Sequence, residues 1–144
     1  MRTLQEWLDA YGESHQNSTN RKIHKVAVPG IFFSIVGLIW SIPALSIFSI
    51  ELNWIWVALV PVMVFYLRLS ISIFLSMLAF SLICIAVIYA LDFSLNILYL
   101  SIGLFVVLWV FQFVGHKIEG KKPSFFDDIQ FLLIGPVWVF KQKV

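Results

Sequence analysis

The side chains in this sequence with the most chemistry to offer are three histidines, His15, His24 and His116. Histidine is the commonest ligand for zinc, iron, copper and nickel, so what matters is whether the three can meet. His24 stands just before one long apolar run and His116 closes another, although 92 positions separate them. Gln112, His116 and Glu119 follow at i, i+4 and i+7, on one helical face. A polar stripe at the end of an apolar helix faces protein or water rather than lipid. His15 and His24 are nine residues apart, which on an unbroken helix puts them on opposite faces. They reach one point only if the chain turns between them, and Asn17-Ser18-Thr19-Asn20 is turn and helix-capping sequence at the required place. Three imidazoles, with or without Glu119, leave coordination positions open, and open positions suit catalysis rather than structure. Two histidines and a carboxylate match a non-haem iron oxygenase; three histidines equally suit a zinc hydrolase. Histidines that only hydrogen-bond lipid headgroups or helix ends have the same spacing, so the metal and the interfacial readings both stand at this point.

The elements that must carry these residues are membrane helices. Of 144 residues, 60% are apolar and 12% charged, against about 25% charged in ordinary globular chains. Mean hydropathy is +0.92. A soluble fold this short has too few charges to cover its surface. One cysteine and the absence of heptads exclude a disulfide scaffold and a coiled coil. Between Val26 and Gly115 only Glu51, Arg68 and Asp92 carry charge, and they divide the region into apolar stretches 26–50, 52–67, 69–91 and 93–115. A bilayer core needs about 20 helical residues. Three stretches qualify; the second covers only about 24 Å at about 1.5 Å per residue. It becomes long enough with Trp54 and Trp56 at one interface and Arg68 snorkelling at the other.

The expected fold is therefore an all-α integral membrane protein, a single membrane domain over 1–144. Its four spans lie at about 26–48, 52–68, 70–91 and 95–116. With four spans, all 10 basic residues fall on one side, and the opposite turns hold only Glu51 and Asp92. The positive-inside rule then puts both termini, and the histidines, at the cytoplasmic face. Thr3-Leu4-Gln5-Glu6 fits a capping box, and Leu4, Trp7, Leu8 and Tyr11 form one apolar face of a helix over 3–12 that Gly12 can stop. This reads as an amphipathic helix on the membrane surface, followed by a histidine-containing loop over 13–24. Ser124-Phe125-Phe126-Asp127 can cap a second short helix, and the segment 124–140, broken by Gly135-Pro136, is too short to span and reads as re-entrant or interfacial. The first long apolar run is a span rather than a cleavable signal. A short chain without a retention signal suggests a bacterial inner membrane, with the endoplasmic reticulum as the alternative.

Other residues take plainer readings. Cys84, alone in the third span, is a small buried hydrophobe. Asn17-Ser18-Thr19 matches a glycosylation acceptor on the wrong side of the membrane. Lys22, Lys25, Lys121 and Lys122 are most simply topology determinants that contact anionic lipid; they also ring the proposed site, where a substrate carboxylate would meet a cation. No phosphate loop, nucleophile elbow or CxxC pair is present, and no nucleic-acid partner or oligomeric state is indicated. Two other functional classes stay open: a zinc-dependent hydrolase of lipid esters or amides, and a non-enzymatic small membrane protein. An ion carrier would place ionisable groups near the bilayer midplane, where this chain has none.

His15-x4-Asn20-x3-His24-x4-Pro29 and Trp109-x2-Gln112-Phe113-Val114-Gly115-His116, with Glu119, Pro123, Gln130 and Pro136, resemble the membrane-bound, iron-dependent 2-hydroxy fatty acid dioxygenases of fungal fatty acid α-oxidation and their bacterial relatives. The resemblance covers roughly Trp7 to Phe140 and implies cleavage of the C1–C2 bond of a 2-hydroxy fatty acid with O2, giving an acid one carbon shorter. Ferrous iron is the implied cofactor. His15, His24 and His116 are its implied ligands, and Asn20 and Gln112 fall on other motif positions; the expected mechanism has these two orient the ligands while a nearby lysine, Lys22 or Lys121, helps neutralise the substrate carboxylate. Where fungal members have a His-His pair, this chain has His15-Gln16, so Glu119 or water takes the remaining position.

Overall fold

A computed structural model describes residues 2–126 and 128–141. It contains six α-helices and one β-hairpin: α1 Leu4–Gly12, α2 Ser18–Trp40, β1 Leu45–Ile47, β2 Ile50–Leu52, α3 Trp54–Leu69, α4 Ile71–Leu91, α5 Ile97–Glu119 and α6 Phe131–Lys141. A single 3-10 turn, Ser124–Phe126, precedes α6. Three helices, α2, α4 and α5, are long and apolar enough to cross a membrane; α3 and α6 are shorter. The chain groups into two compact units, residues 1–32 with 105–144 and residues 33–104.

The first unit holds all three histidines. Thr3 caps α1 by accepting the Glu6 N–H at 3.2 Å, while its hydroxyl donates to the Glu6 carboxylate at 3.1 Å. The Glu6 side chain thus takes the cap's hydroxyl proton instead of its backbone amide. Trp7 and Tyr11 are buried, one helical turn apart. Trp7 packs edge-on against Phe131 of α6 at 5.0 Å, and Tyr11 lies 5.2 Å from Trp138. The apolar face expected to lie on the membrane is therefore covered by protein, because α6 offers it aromatic partners. Residues Ile134 to Val139 of α6 are buried throughout.

The expected loop over 13–24 is loop only as far as Asn17. The Asn17 side-chain oxygen accepts the N–H groups of Thr19 and Asn20 at 2.9 and 3.2 Å, so α2 starts at Ser18 and already contains Asn20 and His24. At the other end of this pairing, α5 closes on Gly120, whose φ of 77° suits only glycine without strain. Gly120 N donates to Lys117 O and Lys121 N to His116 O, both at 3.3 Å, the two bonds of a Schellman motif. Where the two helices cross, Gly115 of α5 lets Asn20 of α2 approach: a Cβ there would overlap the Asn20 side-chain oxygen. Helix α6 starts at Phe131 after Asp128, whose carboxylate accepts the Gln130 N–H at 3.0 Å. Asp127, expected to share in a cap, and Lys143 lie outside the described residues.

The second unit is built on α3 and α4. Asn53 caps α3 by accepting the Ile55 N–H. Ser70 serves both helices, donating its N–H to Tyr66 O and accepting the Ser72 N–H on its hydroxyl. Tyr66, Met77, Cys84 and Ile88 are buried, whereas Val60, Val64, Leu75 and Ile83 are exposed. Large apolar side chains on the outside of an apolar helix are what a lipid environment selects. Helix α2 ends at Trp40, earlier than the 48 expected for the first span. The reason is Pro43, which disfavours helix in the residue before it, and the chain instead turns as a hairpin through Phe48 and Ser49 at φ 48° and 66°.

Candidate metal centre

The turn at Asn17 does what the sequence required of it. His15, His24 and His116 are all buried, and one ring nitrogen from each lies within 4.8 Å of the others. Ring centroids are 4.3 Å apart for His15 and His24, 4.7 Å for His24 and His116, and 4.9 Å for His15 and His116. Three segments supply them: the loop after α1, the second turn of α2 and the end of α5.

Two of the rings are held in the same way. His15 Nδ1 donates to the Tyr11 carbonyl at 2.6 Å, and His24 Nδ1 donates to the Asn20 carbonyl at 2.9 Å. In each case the acceptor is four residues back. A proton fixed on Nδ1 leaves Nε2 as a bare lone pair. That of His15 is buried without a hydrogen-bond partner; that of His24 faces His116 Nε2 at 3.1 Å. His116 can donate to this lone pair from Nε2 or, with its proton on Nδ1, join it on one ion. Two donors bound to a common ion at about 2.1 Å stand roughly 3.0–3.4 Å apart, which the 3.1 Å separation meets. Burial, with the positive charge on His24 as the next cause, pushes the His15 imidazole down to about 3, so the ring is neutral and ligand-ready at physiological pH. An orphaned buried lone pair, two tautomers set by backbone carbonyls and a neutral His15 fit a metal ion. A ring nitrogen held through its partner atom is the usual arrangement for a metal-bound histidine.

The walls are aromatic. Tyr11 stacks on His15 at 4.2 Å with the planes 7° apart, and Trp138 lies 5.1 Å from the same ring. Ser14 joins the loop to the 3-10 turn through a 2.6 Å hydroxyl bond to Ser124.

A family model described as "Mpo1-like: 2-hydroxy-palmitic acid dioxygenase Mpo1-like" matches residues 1–143. The chain belongs to this family. A relative of this Mpo1-like chain is the 2-hydroxy-palmitic acid dioxygenase MPO1 of Saccharomyces cerevisiae, 28% identical over 138 residues, which are 94% of this chain and 76% of the yeast protein. No solved structure matches the chain.

Within this Mpo1-like chain, the other residues singled out from sequence fall in different places. Glu119 is not in the group of mutually close ligand atoms: its Oε1 accepts the Asn17 N–H at 2.7 Å and the Asn20 side-chain amide at 3.1 Å. A carboxylate at the N-terminus of α2 satisfies amides that the helix cannot, and complements its dipole. Asn20 also donates to the Ser14 carbonyl at 3.2 Å, so its side chain ties the loop of His15 to the end of α5 while its backbone carbonyl holds His24. Gln112 is buried one turn before His116, and its side-chain oxygen has no partner. Lys22 is exposed; Lys121, also exposed, donates to the Glu13 carbonyl at 3.0 Å. Tyr11 and Ser124 stood in the sequence only as an apolar-face residue and a cap, away from the site, and Ser14 and Trp138 were not singled out. Tyr11 had a signal: it precedes His15 by the same four residues that separate Asn20 from His24.

Proposed function

We propose that this Mpo1-like protein is a non-haem iron dioxygenase of fatty acid α-oxidation, cleaving C1–C2 of a 2-hydroxy fatty acid with O2 to give the acid one carbon shorter. The atoms balance with carbon dioxide and water as the other products. The observation that carries the reading is the convergence of three buried histidines, at least one of them neutral with an orphaned Nε2, in a chain of this family.

His15, His24 and His116 would hold Fe(II), which supplies the one-electron chemistry with O2 that side chains lack. The chain's own residues do the rest. Tyr11 and Asn20 carbonyls keep the protons of His15 and His24 on Nδ1. Glu119 and Asn20 hold the three histidine-bearing segments in register. Tyr11 and Trp138 cover His15 and exclude water from it. Lys22 and Lys121 place positive charge where an anionic head arrives and steer it.

The membrane arrangement proposed with this is four spans, α3 being the short one, with both termini and the site on the cytoplasmic side of a bacterial inner membrane. It is supported by the distribution of Lys and Arg, and labelling cysteines placed at Ser94 and Lys121 from either side checks it. The functional test is metal content and turnover of anaerobically purified protein, beside His116→Ala. About one iron per chain, lost in the variant, together with O2-dependent shortening of a 2-hydroxy fatty acid, is the expected result. Stoichiometric zinc with O2-independent lipid hydrolysis would overturn it, as would full iron content and turnover in His116→Ala.

A further inference from the structure

Besides His116 Nδ1, helix α5 carries two buried side-chain polar atoms that no protein group satisfies. Gln112 is 6% exposed, and its Oε1 has no hydrogen-bond partner. The indole Nε1 of Trp109 is likewise buried and unpaired. Trp109, Gln112 and His116 stand at i, i+3 and i+7, so the two atoms continue on the histidine's own helix face toward the apolar interior of the span. Gln112 lies about 6 Å from His116 along the axis.

Such atoms need a reason to be there. An apolar side chain of similar shape would fill either position without leaving a donor or acceptor dry, and buried polar groups in native proteins nearly always find partners. The Trp109 ring is well packed, against Phe113 at 5.4 Å and Phe125 at 4.9 Å. Only its N–H is left over. One unpaired acceptor and one unpaired donor, next to the histidine cluster and on the side where an acyl chain would lie in the membrane, complement a group that both donates and accepts. A 2-hydroxy carboxylic acid is such a group. The lysines are poorly placed for close contact with it, since Lys22 is exposed and Lys121 is bonded to the Glu13 carbonyl.

We infer that Gln112 and Trp109 recognise the polar head of the substrate, Gln112 accepting the proton of the 2-hydroxyl group and Trp109 donating to a carboxylate oxygen. The assignment rests on the reading of the chain as acting on 2-hydroxy fatty acids. It makes Gln112 the residue that distinguishes a 2-hydroxy acid from the plain acid, and Trp109 a contact common to both. A site that hydrogen-bonds a hydroxyl rejects the analogue lacking it, because its own polar group is then left unpaired.

The test is equilibrium binding of 2-hydroxypalmitate and palmitate to the full chain in lipid nanodiscs, loaded with Fe(II) and kept anaerobic so that nothing turns over. Wild type should prefer the 2-hydroxy acid. Gln112→Met should weaken 2-hydroxypalmitate tenfold or more and leave palmitate within twofold, with iron content unchanged and a melting temperature no lower than wild type. A merely structural glutamine would not remove the preference while sparing stability. Trp109→Phe should weaken both acids alike, several-fold, and keep their ratio. Preference retained in Gln112→Met, with Trp109→Phe binding as wild type, overturns the assignment alone. A wild type that does not discriminate overturns the substrate reading and the assignment with it. Should Gln112→Met fail to accumulate, Gln112→Asn keeps the amide, withdraws it by one methylene and puts the same ratio to the test.

Discussion

Acidification should destabilise the metal-free protein through His15. The ring is 2% exposed, and burial together with the charge on His24 pushes its pKa down to about 3. In the unfolded chain the same imidazole titrates near 6.5. The folded value lies below the unfolded one, so the unfolded state binds the proton more readily. Stability is therefore full above about 6.5 and falls as the pH drops from there toward about 3. Between pH 7 and pH 5 the loss works out at about 2 kcal/mol, from about 1.36 kcal/mol for each unit through which only the unfolded state titrates. The assay is thermal or denaturant unfolding of the iron-free chain in nanodiscs at both pH values, wild type beside His15→Gln. Wild type should lose about 2 kcal/mol more than the variant over this interval. Adding iron should oppose the loss, because an ion bound only by the folded state stabilises it by mass action. Equal losses in the two proteins would show that His15 titrates normally in the fold, and the neutral, ligand-ready ring would then be wrong.

Two further substitutions probe the frame around the histidines. Glu119→Ala removes the acceptor of the Asn17 and Asn20 bonds and should cost about 2 kcal/mol of stability, with Glu119→Gln, which keeps an acceptor, about half as harmful; iron content of Glu119→Gln near wild type would separate a holding role from a ligand role. Gly115→Ala drives a methyl group into the Asn20 side chain and should cost about 1–3 kcal/mol in the same unfolding assay. Gly103→Ala on the same helix, where nothing lies within 4 Å of the added carbon, should be neutral or stabilising.

The histidines were legible in sequence because they are few and because two of them stand at the ends of apolar runs, where a polar side chain needs an explanation. The turn that unites them was legible too, since Asn17 has a side chain that can cap a helix and does. The hairpin was not. Leu45 to Leu52 contains neither glycine nor an Asn-Gly turn, and Phe48 and Ser49 at positive φ run against the usual turn chemistry. Nor was the cover over α1, because Leu4, Trp7, Leu8 and Tyr11 have the same spacing whether lipid or α6 lies against them.

Glu119 shows most clearly where spacing stops being informative. Three residues after His116, its carboxylate is placed by spacing equally well to bind an ion or to cap a neighbouring helix. The start of α2 presents backbone amides that its own helix cannot satisfy. The crossing that brings His24 to His116 in this fold also brings this helix start beside the end of α5. A carboxylate in that place meets the Asn17 N–H at 2.7 Å, and through Asn20 it also fixes Ser14, the neighbour of His15. As a ligand it would add one donor to a site that already has three. As a clasp it holds all three histidine-bearing segments together, and on the proposed iron reading it would leave the remaining coordination positions to substrate and O2.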